Sequence, residues 1–175
     1  MVTSCSIIFN YMKNLCFIDV DGVLNSELTY AKQKDVDKKN WTKEECTDFH
    51  FDKERIQWLN EWCKNTDTAV VISSTWRSDP DIEETFRRNG ATFEIVGKTP
   101  YQECRHRGCE INKWLQDNCK EMFGVHYFQF KRYVIFDDDS DMLLNQAMNF
   151  FHCDRYYGLT PNILYKAGNF LNSLK

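Results

Sequence analysis

Apolar residues along this chain gather into two kinds of run. Five runs are short and almost continuous: "LCFIDV" from Leu15, "TAVVISS" from Thr68, "TFEIVG" from Thr92, "RYVIFDD" from Arg132 and, more weakly, "NFFHCD" from Asn149. Runs of this length, rich in β-branched and aromatic residues and ended by polar or turn residues, predict strands. Between them the apolar residues take helical spacing. Ile56, Leu59 and Cys63 recur on one face behind Asp52, a capping residue. Asp79-Pro80 opens a second helix and Gly90 closes it, with proline at the first helical position, where an N–H is not needed. Ile111, Trp114 and Leu115 mark a third helix. Thr160-Pro161 opens a last one, with Leu164, Ala167, Leu171 and Leu174 facing inward.

Strands that read as continuous apolar runs and alternate with helices predict a parallel sheet covered on both faces, the α/β class with a Rossmann-like order. Acidic and hydroxyl residues fall just after the strands, at the edge where open α/β sheets bind ligands. The span from Ser26 to Thr47, rich in lysine and acidic residues, predicts an irregular loop or flap. The chain shows no repeat, low-complexity segment or interior linker. Its 175 residues, 42% hydrophobic, fit one domain over residues 15–175, preceded by an extension over residues 1–14.

Charge and cysteines narrow the picture. A net charge of −4 does not mark a protein that coats nucleic acid, though it leaves room for a local basic patch. The eight cysteines are scattered, with no C-x-x-C, so reduced thiols are expected rather than a disulfide framework or a structural zinc site. No apolar run is long enough to span a bilayer. The opening "MVTSCSIIFNYMKN" lacks the basic start and small-residue cleavage site of a secretory signal. A cytoplasmic location is the expectation.

Four features share the strand-end edge: Asp19 and Asp21 with Gly22 after the first strand; "SSTWR", holding Ser73, Ser74 and Arg77; the basic "ECRHRGCEI" with Arg105 and Arg107; and "FDDDSD" with Asp137, Asp138, Asp139 and Asp141. Two carboxylates flanking one valine repel each other, so such a pair shares a proton or recruits a cation. In this order the motifs resemble the haloacid-dehalogenase-like (HAD) phosphohydrolases: D-x-D-G-V, then Ser/Thr, then a basic residue, then an acidic pair. "FIDVDGVLN", "VISSTWR", "KTP", "RGCEINKWL", "VIFDDD" and "GLT" are similar to the small HAD branch associated with RNA repair proteins. The likeness runs from Leu15 to Thr160.

The resemblance implies an Mg2+-dependent phosphatase. Asp19 would be the nucleophile that forms an aspartyl-phosphate, and Asp21 the general acid and then base. The ion would be held by the Asp19 carboxylate, the backbone carbonyl of Asp21 and a late carboxylate, Asp138 before Asp137. Ser73, or its neighbour Ser74, would bind a phosphoryl oxygen. Arg107 would clamp the phosphate, with Arg105 and Lys98 as alternatives, and Arg77 would add a substrate contact. Asp141 could instead simply start a helix "DMLLNQAM". His50, His106, His126 and His152 show no ligand spacing, and Trp58, Trp62 and Trp114 read as core, with Trp76 the exception beside the site.

Other readings fit less well. A phosphorylation-receiver module gathers similar residues, but places its acidic pair after the first strand and its phosphoacceptor later. A dehalogenase of this fold lacks the second aspartate. A non-catalytic phosphate- or nucleic-acid-binding module remains an alternative, as does a phosphatase of small nucleotides. The windows that carry cap domains in HAD enzymes are filled by ordinary elements, so a capless chain with at most a small flap is expected. An open site suits the end of a polymer. With "TWR", "FRRNG", "YQECRHR" and "FQFKRY" nearby, the expected substrate is a terminal phosphate of RNA or DNA, at a 3′ end, with no membrane and no obligate protein partner.

Overall fold

The computed structural model describes residues 13–33 and 39–174. Five parallel strands form one sheet: β1 (Asn14–Ile18), β2 (Thr68–Ile72), β3 (Ile95–Lys98), β4 (Tyr133–Asp137) and β5 (Phe150–His152), in the order β3-β2-β1-β4-β5. These are the five apolar runs. Asn14 belongs to β1, while the rest of the expected extension, except Lys13, lies outside the described residues. The chain winds outward from β1 to β3 on one side, then returns to place β4 against the other flank of β1. The strand order therefore reverses between β1 and β4, which puts a ligand crevice at their carboxyl ends.

The helices are α1 (Glu27–Lys32), α2 (Lys43–Asp48), α3 (Lys53–Thr66), α4 (Ile82–Arg88), α5 (Arg107–Phe123) and α6 (Pro161–Ser173). Alternate strand residues feed two cores. Cys16, Ile18, Val70, Ile72, Val134 and Phe136 pack with the apolar stripes of α3, α4 and α6. Leu15, Phe17, Ala69, Val71, Tyr133 and Ile135 meet Ile111, Trp114, Leu115 and Cys119 of α5. Burial on both faces is why the strands carry no polar alternation. The expected α/β sheet with helices on both faces is what the chain forms.

Three local expectations change. The span predicted as an irregular flap contains α1, capped by Ser26, and α2, whose Thr42 and Glu45 form a reciprocal capping box. Asp79 does not cap α4: its carboxylate accepts from the Asp81 N–H in a turn, and the helix begins at Ile82. The segment "DMLLNQAM" makes only a short 3-10 turn at Leu144–Gln146, because Leu144 and Met148 face solvent and leave no buried stripe to hold an α-helix. Between β1 and β2 the described residues form α1, α2 and α3. Between β2 and α5 they form a 3-10 turn, α4 and β3. No described segment folds as a separate cap.

Candidate active site

β1 ends at Ile18, and the chain turns over at once: the N–H groups of Val23, Leu24 and Asn25 all bond back to the Val20 carbonyl. This turn holds Asp19 against the sheet edge, only 7% exposed, while Asp21 swings into solvent. The two carboxylates that are neighbours in sequence are thus separated by environment. Asp21 is fixed by two donors, Asn25 Nδ2 on Oδ1 at 2.8 Å and the Trp76 indole N–H on Oδ2 at 2.8 Å. Asn25 is fully buried and also accepts the Gly22 N–H, so it ties the turn to the carboxylate it steers.

In space the acidic neighbours of Asp19 come from the end of β4. Oxygens of Asp19, Asp137 and Asp138 lie within 4.8 Å of one another. Gly22 makes room for this approach. Its φ is +73°, and a Cβ there would sit 2.4 Å from Asp138 Cγ. Burial pushes the Asp19 carboxyl up to about 6, against the pull of Arg107 and of hydrogen bonds from Ser74 and Val20. Burial, then the charge of Asp19, pushes Asp137 up to about 8. The repulsion read from D-x-D therefore falls between Asp19 and the late pair, because parallel pairing of β1 with β4 brings their ends together.

Arg107 is the cation at the centre. It stands first in α5, where its own N–H is capped by Asp141 Oδ2 at 2.8 Å. Its guanidinium donates to Asp137 Oδ2 at 3.1 Å, stands 3.7 Å from Asp19 Oδ2 and pairs with Glu110 one turn along. Gly108 lets α5 press this close, since a Cβ there would lie 2.5 Å from the Leu143 nitrogen. Lys98 instead approaches Glu83 at 4.0 Å. Arg105 is exposed. Arg77 is buried, donating to the Ser74 carbonyl and to Glu110 Oε1, with its guanidinium over the Tyr101 ring. Ser73 and Ser74 are both buried. Ser74 is the one that reaches Asp19, whereas the Ser73 hydroxyl has no hydrogen-bond partner among the described residues.

Several contributors escaped the sequence reading. Glu110 holds two arginines, and Arg155, from the turn after β5, donates to Asp138 Oδ2 at 2.7 Å. His152 sits 2.9 Å from the Asp138 carbonyl oxygen. Asn25 lay inside the quoted "FIDVDGVLN" and Glu110 inside "RGCEINKWL"; nothing local marks Arg155, which needs the chain to fold back. Around Asp19, Asp137 and Asp138, three carboxyl groups meet two guanidiniums, so that full ionisation of the three leaves an excess negative charge, and the metal-ligating atoms on offer are oxygens alone. That donor set fits a hard divalent cation such as Mg2+, and not a soft one.

A Rossmann-like sheet with D-x-D-G at its first strand end and an acid pair at the adjoining one defines a HAD-type domain. Residues 15–163 match the family described as the HAD domain in Swiss Army Knife RNA repair proteins, and the chain belongs to that family. Neither a curated protein nor a solved structure matches it. No described helix is long and apolar enough to cross a membrane.

Proposed function

We propose that this chain is an Mg2+-dependent phosphomonoester hydrolase that works through an aspartyl-phosphate on Asp19. Its proposed substrate is the 3′-terminal phosphate of a polynucleotide. One observation carries the reading: Asp19, Asp137, Asp138 and Arg107 converge at the switch point of the sheet, with Asp21 held alongside. Stability alone gives no reason to bury so many carboxylates together.

In the first half-reaction Asp19 forms a bond to phosphorus as the bond to the leaving oxygen breaks. Asp21 delivers its proton to that oxygen. In the second, Asp21 takes a proton from water, whose oxygen attacks phosphorus, releasing inorganic phosphate and restoring Asp19. Arg107 and Ser74 meet the phosphoryl oxygens and orient them for in-line attack. Arg107 also offsets the charge of Asp19 and Asp137. The Asp19 and Asp138 carboxylates and the Asp21 carbonyl, with Asp137 behind them, would hold Mg2+, which would supply further neutralisation of the phosphoryl charge.

Support for the polymer end comes from the family's association with RNA repair and from the absence of a cap among the described residues. The cysteines among the described residues are free thiols, which suits a cytoplasmic setting. A phosphate-release screen with Mg2+ tests the proposal. It compares an aryl phosphate, nucleoside monophosphates and oligonucleotides phosphorylated at the 3′ or the 5′ end. The 3′-phosphorylated oligonucleotide is expected to be hydrolysed best, and chelation should stop the reaction. Faster turnover of free nucleotides would assign a small-molecule phosphatase instead, and no release from any substrate would leave a binding module.

A further inference from the structure

A cleft of about 590 Å³ opens directly from Arg107, and the hydrolysis of the phosphate does not account for its walls. One wall is Tyr101, 60% exposed although it follows a buried stretch at Thr99. The guanidinium of Arg77 lies 3.9 Å from the Tyr101 ring centroid and covers one face. Even so backed, most of Tyr101 stays open to solvent. Arg77 cannot easily swing away, because Ser74 and Glu110 hold it at 2.8 and 2.7 Å. The ring is thus a backed, rigid plate at the mouth of the site. Arg105 forms the outer wall. Its φ is +52°, an unusual conformation for a side-chain-bearing residue, and it closes a turn onto the Gln102 carbonyl. Unlike Arg77 and Arg107, it has no ion pair among the described residues. Asp139, which is exposed, and Asp141, which is committed to the Arg107 N–H, also line the cleft.

We propose that this cleft is the subsite for the terminal nucleotide of the substrate: its base stacks on the open face of Tyr101, and the next phosphodiester meets Arg105. This rests on the polynucleotide reading above and deepens it. A stacked plate accepts every base, because each has a π face, so the subsite confers a preference for a nucleotide without a preference for sequence. The guanidinium behind the ring adds to its rigidity and leaves stacking as the contact available. Asp139 and Asp141 repel a phosphate backbone beside them, and Arg105, without an ion pair among the described residues, is the cation placed to meet it.

The test uses the full chain with Mg2+ and two 3′-phosphorylated oligonucleotides that differ only in whether the terminal nucleotide carries a base or is abasic. Wild type should prefer the base-bearing substrate in kcat/KM by about 5- to 150-fold, the range of one base–aromatic stack. Tyr101→Ala should abolish that preference, chiefly through KM, and Tyr101→Phe should keep it. Arg105→Ala should lower the salt slope of kcat/KM by about one. A preference that survives Tyr101→Ala overturns the subsite while the polynucleotide reading stands. Hydrolysis of an aryl phosphate with neither oligonucleotide cleaved overturns both.

Discussion

Gly22 decides whether Asp19 and Asp138 can meet. Its left-handed φ and the 2.4 Å from a built Cβ to Asp138 leave no place for a side chain. Gly22→Ala should therefore lower stability by about 1–3 kcal/mol and displace Asp138. Thermal melts should show the loss, together with a smaller rise on adding Mg2+ than wild type gives. A variant that melts like wild type and responds fully to Mg2+ would refute this role. The carboxyls nearby make a second prediction. Asp19 and Asp137 are held above the ordinary carboxylate range, to about 6 and about 8, chiefly by burial. The folded state then binds more protons than the unfolded one between about pH 4 and 8. Stability of the metal-free protein from these groups is present at low pH and lost as pH rises through 6 to 8. Mg2+ binds the ionised forms, so the melting-temperature gain it gives should be larger at pH 8 than at pH 5. An equal or smaller gain at pH 8 would contradict the reading.

At the scale of elements, α3 does more than cover the sheet. Arg55, in its first turn and 6% exposed, pairs with Asp52 and donates to Ser26 Oγ, Thr29 Oγ1 and the Tyr157 carbonyl. It joins the loop after β1 to the turn that carries Arg155. Arg55→Ala leaves buried hydroxyls and Asp52 without their cation, and should cost about 3 kcal/mol, read from the denaturant midpoint. A loss below about 1 kcal/mol would show the hub to be dispensable. Such a hub is invisible in the sequence, because it depends on contacts about a hundred positions apart. The strands were legible for the opposite reason: burial on both faces writes a continuous apolar run into β1, β2 and β4, and the half-buried edge strands β3 and β5 carry a weaker one. So were α3, α5 and α6, whose apolar stripes must face the sheet. The capping box at Thr42 was legible in principle, but its helix buries no residue and left no stripe to announce it. Asp141 misled because a carboxylate before a helix-like run caps that run only if the run has a face to bury. Here it caps α5 instead.

Over the whole molecule, the positions of Asp19, Asp21, Arg107 and Asp138 could be read from motif order, since each follows a strand or opens a helix at the same edge. Which carboxylates would touch could not be, because that follows from β1 pairing with β4. That Ser74 rather than Ser73 reaches Asp19 also depends on how the chain leaves the strand end. An open edge without a described cap leaves room for a polymer at the proposed phosphate site, and the exposed arginines stand beside the crevice. Hydrolysis of 3′-phosphorylated oligonucleotides should accordingly fall steeply between low and physiological salt, as backbone contacts release counterions. A rate indifferent to salt would point to a substrate with no backbone to grip. The proposed chemistry turns on Asp19 as the nucleophile of a phosphatase. The most direct measurement is phosphate release from a 3′-phosphorylated oligonucleotide by wild type and Asp19→Asn, each with Mg2+ and then with a chelator. Circular dichroism establishes that both are folded. Release by wild type with Mg2+ only, and none by a folded Asp19→Asn, is the expected result; near-normal release by Asp19→Asn would contradict the mechanism.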